Sequence, residues 1–378
     1  MSDDSAPAGA PDPDPPRPVR LDFKSGGWVL LLSMALVMTL VVWRLYVIRD
    51  ARSWRDNVAP PPTRSNGFDL STATVPVKLI GNQRQPDGMQ SLVDPPIVTQ
   101  EQLTQLNESK WTKYLVPEDK VIGVSLGGES RAYPTRVLTW HEVANDTLGG
   151  VPIAVTYCPH SGSAAVYDRR LPGRVIELRM SGLIYNANNV LYDLQGNRSV
   201  ESLWSQVQGR AIAGPEAASG TELTALPCQL MYWRDWIIDH PESTVMGGDL
   251  RHKKLYRSDP YLNYPRSPGV KYPHEPMLPD SEAAQAKELM LMVTIGDTTA
   301  VFGSNEIAEH VDLGGSWTTQ VGAVPVVIYQ KGDAGLGVCN WIHSLDPSRP
   351  IQSARSMYRF AWRANFSAPA PSSGSDQR

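Results

Sequence analysis

The stretch "VSLGGESRAYPTRVL", residues 124–138, aligns without a gap on "VTIGDTTAVFGSNEI", residues 293–307. Both read as a short apolar run, a turn through "GG" or "GD", a second run and the start of a helix. Each then reaches a histidine, His141 or His310. After a short insertion each ends in a strand of one type, "VPIAVTY" against "VPVVIYQ". Recurrence on this scale predicts a duplicated β-rich unit, over about 115–215 and 285–345. Further runs rich in Val, Ile and Tyr, such as "KVIGVSL", "SAAVYD", "GLIY", "NVLYD" and "LMVTI", are punctuated by Gly, Pro, Asn and Asp and also read as strands. Helical periodicity is confined to "TQEQLTQLNES", "PTRVLTWHEV", "MYWRDWIIDHP" and "DSEAAQAKELM". The expected fold is therefore mainly β with short helices (α+β), as one large soluble domain over 68–366.

N-terminal to that domain the composition changes twice. Residues 1–27, "MSDDSAPAGAPDPDPPRPVRLDFKSGG", are rich in Pro, Asp, Ala and Gly without apolar periodicity, which predicts a disordered tail. Residues 28–48 are apolar apart from Arg44, and at a rise of about 1.5 Å per residue they cover roughly 30 Å, the thickness of a hydrocarbon core. Trp28 and Trp43 stand where interfacial aromatics belong, and Arg44 can snorkel to the headgroups. A single transmembrane helix is expected, followed by a linker over 49–67. Basic residues flank it on both sides, so charge counting does not orient it. The signal-anchor layout favours a bacterial inner-membrane protein with its main domain in the periplasm. Residues 367–378 read as a second disordered tail.

The 378 residues carry a formal net charge of −4, and there is no Lys/Arg run or basic-aromatic groove, which argues against nucleic-acid binding. Three cysteines, Cys158, Cys228 and Cys339, are too few for a disulfide scaffold and lack a paired zinc spacing. Whether Cys228 and Cys339 pair is left open. No nucleophile elbow, phosphate-binding loop, dinucleotide fingerprint or His-Glu-x-x-His helix is present.

One feature occurs in the first unit only. Cys158, Pro159, His160 and Ser161 follow its long strand, whereas the second unit continues "KGDAGLG". A nearby imidazolium lowers a thiol pKa, and Pro159 and Gly162 shape the turn. One reading is an exposed, preorganised nucleophile made by Cys158, His160 and Ser161. The other is a small buried hydrophobe beside a turn histidine. With His141 as third member, Cys158 and His160 offer a donor set suited to copper or zinc; against that, the matching His310 suggests a structural His141. Glu142, Asn145, Asp146, Tyr157 and Arg131 are expected in support. Asn145 and Asp146 read as cap or turn residues, and Arg131 as the partner of a local carboxylate. The asparagines of "YNANNVLYD" read as turn builders or pocket liners, and Trp204 as core.

The set "SRAYPTRVLTWHEVAND", "GGVPIAVTYCPHSGSAAVYDR", "MSGLIYNANNVLYD", "LWSQVQGRAIAGP" and "MYRFAWRANF" resembles the bacterial family catalogued as domain of unknown function 3179, from about residue 90 to 366. The resemblance brings no assigned activity. Some members are labelled selenoproteins, which implies a redox role for the cysteine turn. Family turns of Cys-Pro-x-Cys or Cys-Pro-x-Thr type correspond to Cys158–Ser161, and Ser161 removes any second sulfur. A dithiol cycle within the turn is excluded, which leaves a one-thiol mechanism, a distant cysteine or metal ligation. The expected function is a thiol-centred redox site acting on a small molecule. Its competitors are a copper- or zinc-binding module and a domain that binds an envelope protein.

Overall fold

The computed structural model describes residues 27–53, 65–108, 113–267, 269–333 and 337–366. The chain divides into two compact units, Met1–Ser53 and Trp54–Arg378. In the first, helix α1 runs Gly27–Ser53. Among the described residues no helix is long and apolar enough to cross a membrane. The span expected at 28–48 extends past the residues whose side chains are described. Most of the 1–27 and 49–67 segments, and the 367–378 tail, lie outside the described residues.

The second unit is mainly β with short helices. Strands β1 (Lys120–Leu126) and β2 (Glu129–Pro134) form a hairpin, followed by helix α2 (Thr135–His141) and a second hairpin of β3 (Val143–Leu148) and β4 (Val151–Cys158). Strand β5 (Ser163–Asp168) pairs back on β4, and β6 (Leu178–Tyr185), β7 (Asn188–Asp193) and β8 (Leu203–Ser205) make an antiparallel run. The same element order then recurs as β9 (Leu289–Ile295), β10 (Thr298–Gly303), α3 (Ser304–His310), β11 (Ser316–Val321) and β12 (Val324–Asp333). Strands β13 (Gly337–Ser344) and β14 (Ser353–Tyr358) and helix α4 (Arg359–Phe366) complete it.

An eight-stranded sheet joins the two halves, in the order β10-β9-β14-β5-β4-β3 and then the short strand Leu92–Val93, with Ala225–Leu226 paired to β5. Each hairpin pair is split between sheets: β1 and β2 lie in a five-stranded sheet, while β11 and β12 join β13 in a three-stranded one. Strands β6, β7 and β8 belong to another five-stranded sheet.

The alternation of strand side chains positions the site. Along β4, Ile153 and Val155 enter the core shared with β1, β2 and α2, whereas Ala154 enters the core shared with β6 and β7. Cys158 lies an even number of residues from Ala154, on the face towards β7. At the β4–β5 turn Gly162 has φ +59, and a Cβ there would sit 2.7 Å from the Tyr358 ring, so only glycine fits.

Candidate functional site

Cys158 ends β4 with 0% exposure, and burial pushes its thiol up to about 11, with the Glu142 carboxylate adding to the rise. Polar groups of Ser161 and of Asn189 on β7 pull the other way. The expected exposed thiolate, activated by His160, is therefore corrected. The turn folds inward against β7 and β14, and a thiol without water around it resists ionisation.

His160 is 1% exposed. Its Nε2 lies 2.7 Å from Gln83 Nε2, and its ring meets Tyr261, Tyr264 and Tyr272 edge-on at centroid separations of 4.8, 5.8 and 4.9 Å. His141 Nδ1 lies 2.7 Å from the Gln90 carbonyl and its Nε2 2.9 Å from the Tyr256 hydroxyl. Burial lowers the pKa of His141, so its ring is neutral at neutral pH. The copper or zinc set of His141, Cys158 and His160 is corrected as well: among the described residues no group of three or more His, Cys, Asp or Glu is placed to hold a metal ion. The physical reason is that both His141 nitrogens face protein hydrogen-bonding groups, and three tyrosines pack around His160.

The charge of Glu142 acts on the thiol. The residue caps α2 in the left-handed conformation, φ +59, a place usually given to glycine. Its amide donates to Leu138 O at 2.6 Å, and its carbonyl accepts from the Tyr157 amide at 2.9 Å, so helix end and strand β4 hold it from both sides. Its carboxyl is buried; Oε2 accepts from Asn189 Nδ2 at 2.7 Å, while Oε1 has no partner. Burial raises its pKa from 4.5 to about 7, against the opposing pull of Arg84 and Asn189. Asn189 thus holds the carboxyl through its side-chain nitrogen, and its backbone amide favours the Cys158 thiolate. Its own Oδ1 is buried and unpartnered.

Ser161 belongs to a closed polar network. Asn188 Nδ2 donates to Ser161 Oγ at 2.8 Å, Ser163 Oγ at 3.0 Å and Gln206 Oε1 at 2.8 Å, and Gln206 Nε2 donates to Thr156 Oγ1 at 2.8 Å. Buried networks of this kind rigidify when satisfied. Asn186 and Ala187, with φ of +48 and +58, turn the β6–β7 hairpin, while Asn188 and Asn189 sit on β7. "YNANN" therefore supplies a turn and two site residues.

The other supporting residues lie on strands. Asn145 and Asp146, expected as cap or turn residues, stand in β3, because α2 stops at His141 and Glu142 reverses the chain. Asn145 Nδ2 donates to Leu178 O at 2.9 Å, tying β3 to β6. Asp146 accepts from Arg131 Nη1 at 2.6 Å and from the Tyr133 hydroxyl at 2.8 Å, a buried framework pair. Arg131 also lines a cleft of about 350 Å³ together with Ser130 and His240. Tyr157 packs at the edge of the main core. All three cysteines are free and buried, which closes the question of a Cys228–Cys339 disulfide. Trp204 is fully buried in the core against β4 and β5.

Sequence reasoning missed Gln83, Arg84 and the tyrosines of 257–286. Arg84 donates to the Tyr261 hydroxyl at 3.2 Å and places its charge near Glu142. These residues come from loops with no periodicity, and only the chain's long-range path brings them to the turn. No curated protein and no solved structure matches the chain. The family described as "Protein of unknown function (DUF3179)" matches residues 87–346, which carry the thiol, the strained glutamate and the asparagine that joins them, and the chain belongs to that family.

Proposed function

We propose that this protein is a thiol-dependent oxidoreductase in which Cys158 is the reacting group and Glu142 its proton partner. The observation that carries the reading is Glu142: a non-glycine residue in a left-handed conformation, its carboxyl buried beside a thiol and one oxygen left without a partner. Strain and an unpaired buried acceptor both reduce stability, and sites that retain them are enriched in function. A carboxyl with a pKa of about 7 accepts and returns a proton near neutrality, as general acid–base chemistry needs. Ser161 and Asn189 favour the thiolate once the proton has left.

In this reading α1 anchors the chain in the bacterial inner membrane, with the β-rich unit in the periplasm. Support comes from the exposed apolar side chains of α1, among them Leu31, Leu36, Leu40 and Leu45, and from Ser33 and Thr39, whose hydroxyls bond back to the carbonyls of Val29 and Ala35.

The test uses the full chain in detergent, treated with hydrogen peroxide and glutathione disulfide together and mapped by peptide mass. Cys158 is expected to be modified at least tenfold faster than Cys228 and Cys339, which serve as internal buried controls. Equal inertness of all three thiols would remove the redox reading. Protease treatment of spheroplasts checks the topology: the β-rich unit is expected to be cut without rupturing the inner membrane.

A further inference from the structure

We infer that the substrate class of this site is a small hydroperoxide, held through its O–H by the unpartnered acceptors Asn189 Oδ1 and Glu142 Oε1 with its terminal oxygen on the Cys158 sulfur; this rests on the reading of Cys158 as the reacting thiol. Two buried acceptors without donors, on residues each 1% exposed, call for a ligand that brings a hydrogen-bond donor. The sulfur is the nucleophile, so the ligand must meet it with an electrophilic atom. A hydroperoxide offers both, since its O–H donates and its weak O–O bond accepts an electron pair. The S–S group of a disulfide carries no donor, and exchange needs a near-linear approach of three sulfurs. Enclosure opposes that approach: Tyr261, Tyr264 and Tyr272 pack around His160, and Tyr358 covers Gly162.

The step balances on this chain's own groups. The Cys158 proton passes to the Glu142 carboxylate, and the sulfur lone pair attacks the terminal peroxide oxygen. The O–O bond breaks, and the departing oxygen takes the proton back from Glu142. The thiol and ROOH become a sulfenic acid and ROH; sulfur loses two electrons and the peroxide gains them. Asn189 Oδ1 accepts from the O–H that stays on the transferred oxygen.

The test presents hydrogen peroxide and glutathione disulfide separately to the full chain in detergent, trapping sulfenic acid with dimedone and reading the Cys158 peptide by mass. Hydrogen peroxide is expected to react at least tenfold faster than glutathione disulfide, and faster than tert-butyl hydroperoxide. Glu142→Gln is expected to slow the peroxide reaction at least tenfold while leaving iodoacetamide alkylation of Cys158 as fast or faster, a split that a merely structural role does not produce. Glu142→Asp, which keeps the acid, is expected to retain part of the peroxide rate. Faster reaction with the disulfide would overturn the peroxide assignment and leave the thiol reading intact. Inertness towards both oxidants would overturn both, and an unchanged peroxide rate in Glu142→Gln would remove Glu142 from the step.

Discussion

Replacing Glu142 by glutamine keeps the shape of the side chain and removes its charge, and the structure sets how stability should respond. Burial holds the folded-state pKa near 7 against 4.5 for the free group. Between those values the folded protein keeps a proton that the unfolded chain has released, so stability falls as pH rises through that window. Below about 4.5 both states are protonated and there is no penalty; above about 7 the penalty is complete. At 1.36 kcal/mol for each pH unit the window integrates to about 3 kcal/mol. The carboxylate's hydrogen bond and its attraction to Arg84 are already contained in that net shift. Urea unfolding of both full-length proteins in detergent, followed by tryptophan fluorescence between pH 4.5 and 8.5, isolates the effect, because other titrating groups cancel in the difference. Glu142→Gln is expected to gain up to about 3 kcal/mol on the wild type between the ends of that range. Two curves that stay parallel would show that Glu142 titrates like a solvated carboxyl and would refute the buried-acid argument.

Three further outcomes test the surroundings of the sulfur. With its pKa at about 11 against 9.0 for an unperturbed thiol, Cys158 should react with iodoacetamide at pH 7.5 about 100-fold more slowly in the folded chain than in urea. His160→Gln should leave that rate within about twofold, since burial and Glu142 set the thiol's proton affinity; a tenfold drop would restore the imidazole to the role expected of it from sequence. Gly162→Ala should lower stability by about 2 kcal/mol or more, from a strained φ and a clash with Tyr358, read as a fall in thermal midpoint; an unchanged midpoint would mean that the turn yields easily.

What the residues alone determined is local. Alternating Val, Ile and Tyr runs bounded by Gly and Pro marked β1, β4, β5 and β9 close to their observed limits, because pleating and turn chemistry are properties of neighbouring residues. The long motifs around Cys158 pointed to the family, and the inequality between the two related stretches drew attention to the cysteine turn. Tertiary structure decided which way the turn faces. Spacing made His160 the natural partner of Cys158, two residues away, yet the chain turns that ring into the tyrosines of 257–286. The carboxyl whose charge acts on the thiol is Glu142, sixteen positions upstream and hydrogen-bonded to Asn189 on another sheet. Burial sets the proton affinities of both groups, and burial is a property of the packed whole: neither an acid near 7 nor a thiol near 11 can be read from a stretch of sequence until the strands that exclude water are in place.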